Sequence, residues 1–389
     1  MKDLYLIILL ILISYSGYSQ KGINGFVCTE ELKPLPFVNV YVPEKRMGTV
    51  TDSSGMYYLN INSKFSTDSV LFSYVGFQKV TKAINRLNNF DTIILIPLVK
   101  QLKTTEVVGH VMSASAIVNT AMNRIQENFS NKNRTYYAYY KEKLNEFNDK
   151  ELLEGRCLEA AIKIDEPSYK KHYSNLKENA CILGIRKSVD TIFHGILDIN
   201  YFSFTLQQNI ARYFGRYGFE SVKNINKKWI IKTEEVYRVD SNELIYKISF
   251  SPVDTTFWSE KGYFWISSDN YKIYRFEINV TKGVYNKNTF SNIYNGYYNY
   301  VPYHIIVSYN DTPDGLALSY IKSYEGIEIR AKNMQIKSYY TVDCELKVVS
   351  ENSIKLENII CNKINKREDI YTQKENSDPD FWKNFNINR

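Results

Sequence analysis

The chain has 389 residues, with 49 Lys and Arg against 42 Asp and Glu and a formal charge of +7. The basic residues are scattered and form no arm or stripe, which argues against a nucleic-acid binder, and the length allows two or three domains. Its 33 Tyr and 20 Phe suit half-buried sheet faces, so composition already leans toward β structure.

At the amino end Lys2 precedes the apolar run Leu4–Ile13, and the small and polar residues Ser14 to Gln20 follow. This is the layout of a secretory signal cleaved after Ser19, and the run is shorter than the ~20 residues that span a bilayer as a helix. The first cysteine, Cys28, comes too late for a lipidated lipoprotein cysteine. Residues 1–19 are therefore expected to be a signal peptide, and the rest an exported chain in the periplasm or at the outer membrane. Five cysteines leave at least one unpaired in a monomer. Cys344 and Cys361 suit a bridge across a hairpin, with buried free thiols as the alternative.

From Gly22 to Val99 short strands alternate with turn chemistry, the pattern of a small sandwich. Strands are predicted at Ile23–Thr29, Phe37–Val42, Ser69–Phe77 and Asp91–Leu98, with Gly48–Leu59 folding about a turn. In that turn Asp52 can accept from the backbone two residues on, and Gly55 can take a positive φ. A calcium loop at Asp52–Gly55 lacks the regular oxygen ligands and terminal glutamate. Tyr74 and Phe77 read as core residues in preference to a sugar-stacking platform.

Four pieces occur in order: Gly25; Pro34-Leu35-Pro36-Phe37-Val38-Asn39-Val40; Gly48-Thr49 with Thr51-Asp52-x-x-Gly55-x-Tyr57; and Phe72-Ser73-Tyr74-Val75-Gly76-Phe77. Together they resemble the carboxypeptidase-regulatory-like, transthyretin-type sandwich, especially the version that precedes the plug of Bacteroidota outer-membrane nutrient receptors. The resemblance implies a non-catalytic accessory domain over residues 20–99.

Residues 100–112 read as a linker, within a Leu98–Gly109 stretch comparable to the one leading to the receptor plug. No plug or large barrel pattern follows. Instead Ile117, Val118, Ala121, Met122, Ile125 and Phe129 share a helical stripe, with Ser113 as cap. Strands are predicted at 136–143, 152–164, 244–250, 262–266, 271–280, 303–309, 317–323 and 334–342, with Ser267–Asn270 as a hairpin loop. Residues 166–228 are less regular, and Asp198–Arg216 is the best helical stretch there. This order, and the ending Asp378-Pro379-Asp380-Phe381-Trp382 with Phe385, resembles the uncharacterised second domain of many Bacteroidota envelope proteins. The expected fold is mainly β: the sandwich, then a helix and a curved antiparallel half-barrel over 113–389, similar in outline to periplasmic lipoprotein-carrier half-barrels.

No catalytic set emerges. His110, His172, His194 and His304 lack metal-ligand spacing, and no nucleophile elbow, phosphate loop or dinucleotide fingerprint is present. Gly215-Arg216-Tyr217-Gly218 is read as a turn. Glu154 with Glu159, or Glu234 with Glu235, could form an acid pair, yet in a regular strand each pair points to opposite faces. No catalytic, cofactor-binding or metal-binding residue is assigned, and no ligand-binding residue is identified. The expected function is an exported, non-catalytic envelope binding or assembly protein, holding an apolar ligand, a lipid or a partner protein on an aromatic sheet, with no nucleic acid or nucleotide. A small outer-membrane barrel or structural protein is the alternative, and a hydrolase the last.

Overall fold

The computed structural model describes residues 20–62, 68–88, 90–99, 112–148, 151–169, 179–188, 201–214, 219, 221–239, 243–255, 260–280, 290–291, 296–330, 336–350, 362–365, 368–373 and 381–385. The expected signal peptide and nearly all of the expected linker lie outside them, as does the Gly215–Gly218 turn.

The amino-terminal part contains β1 (Gln20–Cys28), β2 (Asn39–Val42), β3 (Met47–Val50), β4 (Met56–Asn62), β5 (Ser69–Ser73), β6 (Val80–Ala83) and β7 (Asp91–Ile94). They form two layers, β4-β1-β7 and β3-β2-β5-β6. In β5 the alternation buries Val70 and Phe72, leaving Leu71 and Ser73 on the other face. Ile23, Val27, Val40, Leu59 and Ile93 fill the core beside Tyr57, whose ring meets Phe72 edge-on at 5.2 Å. The Thr51-Asp52-x-x-Gly55 motif acts through hydrogen bonds. Buried Thr51 Oγ1 donates to Leu35 O (2.6 Å) and accepts from Val38 N (2.9 Å). Asp52 Oδ1 accepts from Ser54 N (2.9 Å) and Met56 N (3.0 Å), the turn expected from sequence. Gly55 has φ +77°, and a Cβ there would sit 2.6 Å from Val27 O.

The second part starts with α1 (Ala114–Asn123) and α2 (Ile125–Asn128), then β8 (Arg134–Asn148), β9 (Glu151–Glu166) and β10 (Asn179–Lys187). Short helices α3 (Tyr201–Leu206), α4 (Ile210–Tyr213) and α5 (Val222–Lys228) come next. The remaining strands are β11 (Trp229–Arg238), β12 (Leu244–Pro252), β13 (Lys261–Ser267), β14 (Ile273–Val280), β15 (Phe290–Ser291), β16 (Gly296–Thr312), β17 (Gly315–Arg330), β18 (Ile336–Ser350) and β19 (Asn362–Lys363), before α6 (Phe381–Asn384). The main sheet runs β11-β12-β13-β14-β16-β17-β18-β8-β9-β10, antiparallel throughout. Its early strands β8–β10 thus close onto the late strand β18. Register shifts at Glu146/Phe147, Ser308/Tyr309 and Val348/Ser350 interrupt the longest strands. Such bulges bend a strand, and the sheet curves into the expected half-barrel.

Ser113 Oγ accepts from Ala116 N and caps α1, whose stripe of Ile117, Val118, Ala121 and Met122 is buried in the concave core, as expected. Phe219, Trp229, Phe250, Phe264 and Phe276 form a ring cluster there with centroids 4.9–5.8 Å apart. The aromatic sheet face is therefore present, but internal, sharing its core with Ile225 of α5.

Some elements depart from expectation. β10 carries a run buried on both faces, which hides its period, and a register shift at Ile182/Gly184. β11 contains the bulge beside Glu234. The helix predicted over 198–216 is two short ones, α3 and α4, with Asn209 between them bonded to the Tyr169 and Tyr309 hydroxyls. Cys28, Cys157 and Cys344 are free and Cys181 is disulfide-bonded, so Cys344 is in no bridge. Cys361 lies outside the described residues.

The sandwich packs on the convex face of the half-barrel. Phe37 stacks on Tyr320 (5.2 Å), Val50 joins Ile306 and Tyr320 in a small apolar cluster, and Ser350 of β18 pairs with Met47 of β3. Arg46 reaches Asp314 at 2.9 Å, and the Arg275 guanidinium lies between the rings of Tyr74 (5.5 Å) and Trp265 (5.4 Å).

Candidate functional site

At this junction is a cavity of about 500 Å³. The sandwich supplies Asn39 and Tyr41 from β2, Leu71 and Ser73 from β5, the Tyr74–Lys79 loop and Leu98. The half-barrel supplies Val239 and Glu243 beside the β11–β12 connection, Ile245, Tyr274, and Tyr309–Asp311 of β16. Each wall has a local cause. Leu71 and Ser73 face outward because Val70 and Phe72 take the core. The loop after β5 is held by Phe77 N donating to Tyr74 O, Gln78 N to Ile96 O and Leu98 N to Gly76 O, with Gly76 at φ +88°. Tyr74 and Phe77, 5.5 Å apart, are half-buried, touching the sandwich core and lining the cavity as well. Reading them as core alone was too narrow.

The cavity's two acids are engaged by neighbours. Asp311 Oδ1 lies 2.7 Å from Lys272 Nζ, and Ser267 Oγ donates to Glu243 at 2.9 Å. Burial foremost, then Asp311 and Glu243 nearby, raises the Tyr274 hydroxyl far above its ordinary value, so it stays protonated and hydrogen-bonds to Asp311.

Inside the half-barrel two buried ionic clusters are closed within the core. Arg156 Nη2 contacts Glu142 Oε1 (3.2 Å) and Asp369 Oδ2 (2.5 Å), with Tyr371 beneath the guanidinium at 4.6 Å. Tyr140 OH donates to Glu142 (2.8 Å) and lies 3.3 Å from Cys344 Sγ. In the second cluster Arg212 Nε meets Glu166 Oε1 at 3.1 Å, over the Tyr169 ring.

Burial pushes the Glu142 carboxyl up to about 7; Arg156 pulls it down and Asp369 pushes it further up. Between about pH 4.5 and 7 the folded protein therefore holds a proton that the unfolded chain has released. A raised carboxylate stabilises the fold below its unfolded value and loses that contribution as pH rises through its folded value. The melting temperature is expected to fall by on the order of 5 °C from pH 5 to pH 8, and Glu142→Gln to flatten that slope. Calorimetry of both proteins across this range checks it; an equal slope in the variant would assign the dependence elsewhere.

Of the histidines, His304 is described: its Nε2 is 3.1 Å from Glu277 Oε1. His110, His172 and His194 lie outside the described residues. No group of three His, Cys, Asp or Glu among the described residues is placed to hold a metal. Glu159 is paired with Arg186 and accepts from Tyr139. Glu234 and Glu235 do share a face, against expectation: the register shift leaves Glu234 unpaired in β11, and the two meet Ser249 and Lys247, both on the same side of β12. The cavity itself had no single sequence signal, because its walls come from two distant stretches, residues 39–98 and 239–311.

Among solved structures, a LolA superfamily protein from Nitrosomonas europaea shares 10% identity over 64% of this chain and 98% of its own, with a TM-score of 0.21. The Pseudomonas aeruginosa MucA/MucB complex includes a chain 7% identical over 60% and 93%, at 0.21. A Bacteroides fragilis protein of unknown function is 9% identical over 87% and 100%, at 0.17. Likeness at this level assigns no function. No curated protein matches. The comparison that does name a part of the chain is with a family model: residues 23–108 match the CarboxypepD_reg-like domain, the family that the four ordered pieces of sequence resemble.

Proposed function

We propose that the chain is an exported, non-catalytic binding protein of the cell envelope, whose sandwich (20–99) and half-barrel domain (113–389), joined by a linker at 100–112, hold an amphipathic ligand at their junction. The observation that carries this reading is the cavity of about 500 Å³ with walls from both parts. That size is usual for small-molecule sites, as are aromatic walls with a few polar groups. The concave face, filled by helices and buried ion clusters, is a less suitable site. The acids placed best for chemistry, Glu142, Asp369 and Glu166, are buried against arginines, which favours binding over hydrolysis. A membrane barrel needs an apolar outer band, whereas the convex face carries Glu277–His304, Arg186–Glu159 and Lys322–Asp343 pairs.

Native mass spectrometry of the full mature chain, purified from its own envelope in mild detergent, is the test. A small molecule copurifying at one equivalent is expected, and lost in Ser73→Phe, which fills the cavity. A clean apo mass with a retained protein partner would replace the ligand reading with an assembly adaptor.

A further inference from the structure

The wall chemistry of the junction cavity restricts what it can take, on the reading that the cavity is a ligand site. Rings from both sides line it: Tyr41, Tyr74 and Phe77 from the sandwich, Tyr274 from the half-barrel. Among them are Asn39, Ser73, Gln78 and Asn310, amides and a hydroxyl that donate and accept alike. The lining charges are Lys79, Glu243 and Asp311; Lys272, outside the lining, is paired with Asp311, which leaves one lysine against one glutamate. An ion would meet no net opposing field. A hydrocarbon chain would strip water from the amides and carboxylates without replacing the lost hydrogen bonds.

We infer that the ligand is an uncharged, hydroxyl-rich ring compound, a saccharide of one or two rings. A pyranose has an apolar face of C–H bonds that packs on an aromatic ring and a rim of hydroxyls that both donate and accept. It satisfies both kinds of wall at once. The closed ionic clusters of the half-barrel core and the charged convex face lack this pairing of rings with neutral polar groups around an open volume.

The test uses the full mature chain on an array of α- and β-linked hexosides, N-acetylhexosaminides and uronides, followed by calorimetry with the strongest neutral disaccharide and, separately, with laurate. Binding of a neutral saccharide is expected, weakened at least roughly ten-fold by Tyr74→Leu, which removes the ring but keeps apolar bulk. Ser73→Phe is expected to abolish it, with melting temperature unchanged to show that the fold is intact. Laurate binding that Ser73→Phe blocks, with no saccharide bound, overturns the saccharide assignment and leaves the cavity as a site for a different amphiphile. Preference for uronides overturns the uncharged class. Binding of neither class, together with no copurifying molecule, removes both this inference and the ligand reading beneath it.

Discussion

Arg156→Met is expected to destabilise the protein by about 3–5 kcal/mol, the largest loss among charge substitutions in the half-barrel. The wild-type guanidinium is 5% exposed and contacts two carboxylates, Glu142 on β8 and Asp369 before the turn at Ile370–Thr372. Methionine fills most of the volume but supplies no donor and no charge, so two acids are left buried near one another. One must then take a proton at neutral pH, and both lose hydrogen bonds. Asp369 also caps that turn by accepting from Tyr371 N at 3.0 Å, so the damage extends to the segment it anchors. Chemical denaturation of wild type and variant at pH 7.5 measures the loss. The triple variant Glu142→Gln, Arg156→Met, Asp369→Asn is expected to recover more than half of it, since neutral amides remove the buried-charge conflict and Asn still caps. A triple variant no more stable than Arg156→Met would show that packing against Tyr371, 4.6 Å from the guanidinium, matters more than charge.

How much of this was legible beforehand depends on the range of the interaction. The sandwich was readable because its signals are local: Thr51, Asp52 and Gly55 form a turn within five residues, and β5 alternates one side chain at a time. The α1 stripe and its Ser113 cap were readable for the same reason. β10 was hidden because both its faces are covered, so Ile182, Leu183 and Ile185 show no alternation. β11 was hidden by its bulge, which breaks the period at the Glu234–Glu235 pair and turns two adjacent acids to one face. The aromatic excess was rightly assigned to sheet faces. Whether such a face is open or covered, however, depends on α5 and on the order in which β8–β10 join β18, and neither leaves a mark in local sequence. The cavity was the least legible feature, since Ser73 and Asp311 become neighbours only after two separate parts of the chain have folded and docked.

The tail offers the second large effect. Phe381→Ala is expected to cost about 3–5 kcal/mol. Phe381 and Phe385 of the C-terminal turn are 3% and 1% exposed, packed against Tyr139, Ala161 and Leu183 of β8–β10 and Val349 of β18, on the face opposite the main core. Trp382 lies under the Arg186 guanidinium at 4.5 Å, and Arg186 is itself held by Glu159. A Cβ built on Gly184 would sit 2.6 Å from the Phe381 ring, so the glycine is required by the side chain that covers it. This gives a sign to the coupling. In the wild-type background Gly184→Ala is expected to destabilise by about 1–3 kcal/mol through overpacking. In the Phe381→Ala background the same change meets open space and is expected to be neutral or stabilising, since alanine suits a strand better than glycine. A double-mutant cycle by urea denaturation measures the difference, which should exceed about 1 kcal/mol for residues in contact. Additive losses would place the tail elsewhere than on β10. A coupling of the expected sign would identify the Phe-Trp ending as a hook that covers the outer face of the first three half-barrel strands, of which β8 pairs with the distant β18.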